Sequence, residues 1–274
     1  MKMLHSFRTF VFCLIFANAA FGQDIIINEI MAGGGSPMPP GFEPAAEWDD
    51  ATDWVELYNQ GAGPVNLAGW SLTDDYALKT KWVFPSTLIV PGQYLVVLCT
   101  GGDVTSPVLP AIHMETNFKL SNRGEYLGLF DNGLIVQSEM NPEFPNQAFG
   151  YSYGWLPSQY WIMETPTPGA VNSGNTLDGV IKEPQFNFMR GYYTAPLSVS
   201  LGLPDQTFAT IRYTLDGSQP TETNGAVYSS PISISTTSCL RAVGYASNYV
   251  TSPPVTHTYV YTADVLQQTA NPTH

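Results

Sequence analysis

The sequence has 274 residues, of which 44% are apolar and only 12% charged, and its 23 acidic side chains against 10 basic ones give a formal net charge of −13. A field of that sign repels nucleic acid on average, keeps a chain soluble, and attracts divalent cations or basic partners. Three cysteines and four dispersed histidines exclude both a dense disulfide framework and a recognisable zinc site.

In chain order, Lys2 and Arg8 precede an apolar run from Phe10 to Phe16, and small residues then lead to Ala20-Phe21-Gly22. This is the pattern of a secretory signal peptide over residues 1–22. The run is shorter than the ~20 residues a helix needs to cross a bilayer, and no second one follows. No membrane span is therefore expected once the signal is removed, and the product is expected outside the cell, at its surface or in the periplasm. Cys13 lacks the small residues that precede a lipid-modified cysteine. Cleavage after Gly22 removes Lys2 and Arg8 and no acid, which takes the formal charge to −15. Residues 23–172 hold 17 of the acids against 4 bases, so most of the negative field belongs to the first part of the chain.

Short runs rich in branched and aromatic residues follow: Ile25 to Ile30, Trp54 to Asn59, Trp70 to Thr73, Tyr94 to Cys99, Tyr126 to Phe130 and Leu134 to Gln137. Each has the length and composition of a strand. Gly61-Ala62-Gly63-Pro64, Pro91-Gly92 and Asp131-Asn132-Gly133 punctuate them, the last as a hairpin signal. No twelve-residue stretch with helical spacing occurs after the signal peptide. A break at Thr165-Pro166-Thr167-Pro168-Gly169 continues through Asn172-Ser173-Gly174-Asn175, and residues 173–183 read as a linker in which prolines and small polar residues deny ladder and core alike. Strand-like runs resume at Leu197 to Leu201, Thr210 to Leu215, Ile232 to Ser235, Cys239 to Tyr245 and His257 to Tyr261.

The expected fold class is all-β: an immunoglobulin-like β-sandwich over residues 23–172, then a second, smaller fibronectin-III-like β-sandwich over 184–261 and a tail, 262–274, that reads as a chain cut short. About 150 residues suffice for a good core, and about 80 still exceed the ~40 at which domains usually need extra staples. Cys99 and Cys239 fall in different modules within apolar runs and are expected to be buried thiols.

Particular residues then resemble known families. Ile27-Asn28-Glu29-Ile30-Met31-Ala32, Asp53-Trp54-Val55-Glu56-Leu57-Tyr58-Asn59, Val65 to Asp74, Trp82-Val83-Phe84-Pro85, Pro91 to Leu95, Phe118 to Ser121 with Gly124-Glu125, and Thr167-Pro168-Gly169-Ala170-Val171-Asn172 together resemble the lamin-tail domain. That resemblance implies an immunoglobulin-like sandwich used for binding and assembly rather than chemistry. Tyr213 to Thr221, Tyr228 to Ile232 and Leu240 to Val243 resemble the fibronectin-III-associated, chitobiase C-terminal-like domain. In bacterial surface proteins such a pair often precedes a CotH-type kinase region, whose catalytic motifs this chain lacks.

The implied function is a secreted or cell-surface, non-catalytic binding or scaffolding segment contacting protein or polysaccharide, with no cofactor. The alternative is a set of accessory modules of an exported enzyme whose catalytic region lies elsewhere. Gly150-Tyr151-Ser152-Tyr153-Gly154 fits the G-x-S-x-G of a hydrolase elbow, but that device needs a strand before the serine and a helix after it, and Pro157 among aromatics favours loop or strand. Glu43, Glu47, Asp49, Asp50 and Asp53 could offer calcium the oxygen ligands it prefers, or form a solvated acidic loop. Glu56, between Val55 and Leu57, is expected to be a structural hydrogen-bond partner. Asp216-Gly217 reads as a turn. Trp155 with Trp161, and Tyr192 with Tyr193, are candidates to stack on sugar rings, against the alternative that they are core.

Overall fold

The structure, a computed structural model, describes residues 24–35, 52–102 and 114–266. The signal peptide and Glu43, Glu47, Asp49 and Asp50 lie outside the described residues.

The first module contains β1 (Ile25–Met31), β2 (Asp53–Asn59), β3 (Val65–Asn66), β4 (Ser71–Thr73), β5 (Trp82–Val83), β6 (Leu88–Ile89), β7 (Tyr94–Cys99), β8 (Met114–Glu115), β9 (Leu127–Phe130), β10 (Val136–Met140), β11 (Ser152–Leu156), β12 (Gln159–Met163) and β13 (Thr176–Leu177). One sheet runs β13-β12-β11-β1-β2-β7-β8 and a second runs β10-β9-β4-β5. Ile25, Ile27, Val55, Leu57 and Val97 of the first meet Leu72, Leu127, Leu129 and Met140 of the second in one core. Period-2 alternation drives this packing, since successive residues of a strand face opposite sides of its sheet. Each fully buried Ile or Leu contributes on the order of 1.5–3 kcal/mol, so this core is the main source of the module's stability.

The second module contains β14 (Gly179–Val180), β15 (Gln185–Phe186), β16 (Gly191–Tyr193), β17 (Leu197–Val199), β18 (Leu201–Gly202), β19 (Thr210–Thr214), β20 (Ala226–Val227), β21 (Ile232–Ile234), β22 (Ser238–Tyr245), β23 (Tyr249–Val250) and β24 (Val255–Tyr261), then a short helix α1 (Thr262–Leu266). Its sheet runs β16-β24-β22-β19-β20, with β17-β21, β15-β18 and β14-β23 as smaller ladders. Ile181, Val199, Leu201, Ile234, Leu240, Ala242 and Tyr259 lie in its core. The chain is thus all-β, an immunoglobulin-like sandwich followed by a smaller fibronectin-III-like one.

Three local expectations change. The hairpin after Phe130 is longer than an Asn-Gly pair: the Asp131 carboxylate accepts from the amides of Gly133 and Ile135 at 2.8 and 2.9 Å, Leu134 takes a positive φ, and the strand resumes at Val136. The segment 173–183 is not a bare spacer. Its β13 pairs with β12 and its β14 runs parallel to β23, because Leu177 and Val180 are apolar and pack with Ile162, Val250 and Tyr153 between the modules. Cysteine burial also differs. Both described thiols are free, and Cys99 is buried, but Cys239 is only half-buried. Leu240 and Ala242 take the core face of β22, which leaves Cys239 on the other side against Gly217.

Candidate functional site

Chemically capable side chains gather where β1 meets β2 and β11. The register of β1 with β2 pairs Ile27 with Leu57 and then Glu29 with Glu56, so Asn28 is an extra residue and the strand bulges. Strict alternation would have sent Glu29 into the core behind Ile25 and Ile27. The bulge turns Asn28 and Glu29 together onto the outer face and returns Ile30 to the core.

A bulge frees backbone groups that must find partners when buried. Three separate elements supply them. The Ile27 amide donates to Ser138 Oγ on the opposite sheet at 3.0 Å, the Ile27 carbonyl accepts from the Tyr160 hydroxyl at 2.6 Å, and the Asn28 carbonyl accepts from Asn172 Nδ2 at 3.0 Å. The same Asn172 amide also reaches the Trp155 carbonyl at 2.9 Å.

Glu29 and Glu56 are each fully buried, and one strap of chain, residues 165–172, closes over them. Glu29 accepts from the Ser152 hydroxyl, from the Thr167 amide at 3.0 Å and from the Thr167 hydroxyl at 3.0 Å. Glu56 accepts from the Gly169 amide and, at 2.7 Å, from Asn28 Nδ2. Pro168 and Gly169 occupy the corner of a turn closed by the Ala170 amide on the Thr167 carbonyl at 3.0 Å. Gly169 has φ +81° there, the backbone a type II turn demands at that corner. Thus the Thr-Pro-Gly sequence aims two amides at two carboxyls.

Burial raises both acids, and for Glu56 the nearby Glu29 adds to the effect, carrying it to about 8 against the pull of the Gly169 and Asn28 hydrogen bonds. Glu29 moves the same way, opposed by Ser152 and Thr167. Burial thus biases the pair toward its protonated form. It is sealed from solvent, so no substrate reaches it.

The G-x-S-x-G stretch belongs to this construction. Ser152 opens β11, and a second strand rather than a helix follows. Its hydroxyl is spent on Glu29, and a Cβ at Gly154 would lie 2.8 Å from Asn172 Nδ2. Glycine there is a space requirement for the strap.

Asp53, a proposed calcium ligand, is buried, and its Oδ2 accepts from the Leu120 amide at 3.1 Å. Desolvation raises it to about 7, while the Leu120 and Gly34 amides and the Lys119 charge lower it and Glu125 raises it. No group of three or more His, Cys, Asp or Glu able to hold a metal occurs among the described residues.

The four aromatic candidates are not brought together. Trp155 and Trp161 lie on β11 and β12, Tyr192 and Tyr193 on β16. Trp155 packs edge-on against Tyr160, with centroids 5.0 Å apart, and its cross-strand partner is Tyr160 while that of Trp161 is Gly154, so the two tryptophans point to opposite faces of the hairpin. Tyr193 is committed to the second core, tilted on Tyr259 and bonded to the Met189 carbonyl at 2.7 Å. Tyr192 stands 79% exposed.

A cleft of about 450 Å³ opens at the module junction, lined by Glu143, Tyr153, Gln159, Tyr160 and Asp178, floored in part by Ile162 and Leu177, and reached by one of the four aromatic candidates, Trp161; sequence reasoning missed the other lining residues. The aromatic cluster at 151–161 marks it in the sequence, but Glu143 and Asp178 arrive from distant segments. The Tyr153 and Tyr160 rings stack with centroids 5.2 Å apart and planes 24° apart.

Residues 18–140 match the lamin tail domain family, and residues 201–259 match the Fn3 associated family. The chain is a pair of accessory-type modules. Neither family is a catalytic one, and no curated protein matches the chain. The lamin-tail match ends at the close of β10, yet β11 and β12 continue the sheet of β1 and β2, and the strap is bonded to Glu29 and Glu56 on it. No helix among the described residues is long and apolar enough to cross a membrane.

Proposed function

We propose that the chain is an exported, non-catalytic binding and scaffolding segment of a larger bacterial surface or secreted protein, in which the lamin-tail-like module contacts protein or polysaccharide and the second module is a spacer or accessory binder. One observation carries this reading. The groups that chemistry would need, Glu29, Glu56, Ser152 and Asn172, are buried and joined in one hydrogen-bonded network, whereas the open cleft is rimmed by exposed side chains, Glu143, Gln159 and Asp178, that bond to no other described residue. An active site requires the opposite distribution, with its acid or nucleophile in reach of substrate.

The second reading, accessory modules of an exported enzyme such as a CotH-type kinase, is favoured by the similarity of both modules to accessory domain families. Retention of the chain on immobilised polysaccharides or a defined surface protein, without turnover of glycosides, esters or ATP, supports the binding role. Turnover abolished by a single substitution in the described residues would sink it. Export is checked separately by sequencing the amino terminus of the secreted product, which should begin at Gln23.

A further inference from the structure

We infer that the cleft at the module junction is a binding site for a neutral oligosaccharide, a conclusion that rests on the binding role proposed above and names its ligand class and its residues. At about 450 Å³ it falls within the ~300–1,000 Å³ of small-molecule sites. Its wall combines an apolar floor, Ile162 and Leu177, with the rings of Tyr153, Tyr160 and Trp161.

The polar rim differs from the buried polar residues around the strap. Glu143, Gln159 and Asp178 are all exposed, and neither their side chains nor the Tyr153 hydroxyl make a hydrogen bond or ion pair with another described residue. Around the strap, by contrast, the Glu29 and Glu56 carboxyls and the Asn28 and Asn172 side-chain amides are all engaged. Two carboxylates supply acceptors, the phenol a donor, and the Gln159 amide both. A sugar ring offers the complementary surface, with hydroxyls that donate and accept around an apolar C–H face that lies against an aromatic ring.

Charge and hydrogen-bonding capacity narrow the class. No basic residue lines the cleft, so Glu143 and Asp178 repel a uronate or a sulfated glycan. A cationic side chain would satisfy the carboxylates but, having donors and no acceptor, would leave the Gln159 amide and the Tyr153 hydroxyl unanswered. The mixed donors and acceptors of the rim therefore fit hydroxyls better than an ammonium group.

The test is a calorimetric and fluorescence titration of the full chain with cellohexaose, maltohexaose, a chitin hexamer, a galacturonate hexamer and hexalysine. At least one neutral hexamer should bind while the galacturonate does not. The E143A/Q159A/D178A variant should lose at least tenfold in affinity and Tyr153→Phe a few-fold, with unchanged melting because all three rim side chains are exposed and unpaired. Neutral binding that is undiminished in the triple variant would overturn the cleft and leave polysaccharide contact standing. Absence of neutral binding, or binding of hexalysine alone, would overturn the saccharide assignment itself, and in the latter case the chain would remain a binder of basic protein segments.

Discussion

The two modules close their cores in opposite ways. In the first, ionisable groups do the work: Glu29 and Glu56 hold the strap, and Asp53 holds the amide of Leu120. In the second, phenols do it. The Tyr259 hydroxyl donates to the Phe188 carbonyl at 3.0 Å, and that of Tyr261 donates to the Ile234 carbonyl at 2.5 Å. Burial pushes the Tyr259 phenol up to about 12, so it stays neutral wherever the protein works. Both solutions satisfy buried backbone polar groups, but only the carboxyl solution ties the fold to pH.

The contrast breaks most sharply at Glu29. Replacing it with Ala leaves the Ser152 hydroxyl and the Thr167 amide buried without a partner, and each such group costs about 1–3 kcal/mol. The lamin-tail-like module should lose about 3–5 kcal/mol while the second module is unaffected, which calorimetry reads as one transition moving and one staying. A single shifted transition would instead show that the contact of Ile162, Val180 and Val250 couples the modules fully.

Titration gives the next effect. Glu56 and Asp53 bind protons more tightly folded than unfolded, so between their ordinary values near 4–4.5 and their folded values of about 8 and about 7 the folded state holds more protons. Stability of the first module must then fall as pH rises through that window, by several kcal/mol between pH 5 and pH 8 on linkage grounds. The groups facing Glu56 are Glu29, Asn28 and Gly169, and those facing Asp53 are Lys119, Glu125, Leu120 and Gly34. Only Lys119 opposes the trend by charge. Urea unfolding of Glu56→Gln across this range should show a flatter profile, least perturbed at pH 5 and more stable than the unmodified chain at pH 9. An unchanged slope would mean that Glu56 is ionised throughout.

A smaller and pH-independent loss is expected from Tyr261→Phe. The Ile234 carbonyl loses its partner there, at about 1–2 kcal/mol, and the same loss should be measured at pH 5 and pH 8. Least of all, Tyr192→Ala should change stability by no more than about 0.5 kcal/mol, since that ring is exposed. If it also left saccharide binding intact while the cleft variants did not, the two aromatic sites would be separated.

How much of this was legible beforehand varies by element. Strands such as Asp53–Asn59 and Tyr94–Cys99 announce themselves, because alternation and branched side chains are local properties of a pleated chain. The hairpin Ser152–Leu156 with Gln159–Met163 was only half visible, since Pro157 and five aromatics between Tyr151 and Trp161 suit a loop as well as a strand. The turn at Asp131 was legible in place but not in length, because an aspartate side chain took over the role of backbone.

The candidate site was less legible for a physical reason. The Asn28-Glu29, Glu56, Gly150 to Gly154 and Thr167 to Asn172 segments could each be noticed, but the hydrogen bonds that unite Glu29 and Asn28 with the strap span 138 and 144 residues of chain. Glu143, Gln159 and Asp178 meet at the cleft in the same way, through folding alone.

The sequence by itself determined the fold class, the order of the two modules, the excess of negative charge and the glycine-bearing turns, since each is set by neighbours within a few positions. Tertiary structure alone decided the bulge at Asn28. Alternation read along Ile25-Ile26-Ile27-Asn28-Glu29-Ile30 places Glu29 in the apolar core, and only the partners that Ser138, Tyr160 and Asn172 offer to the freed backbone make it cheaper for the strand to shift register than to bury that carboxyl among hydrocarbons.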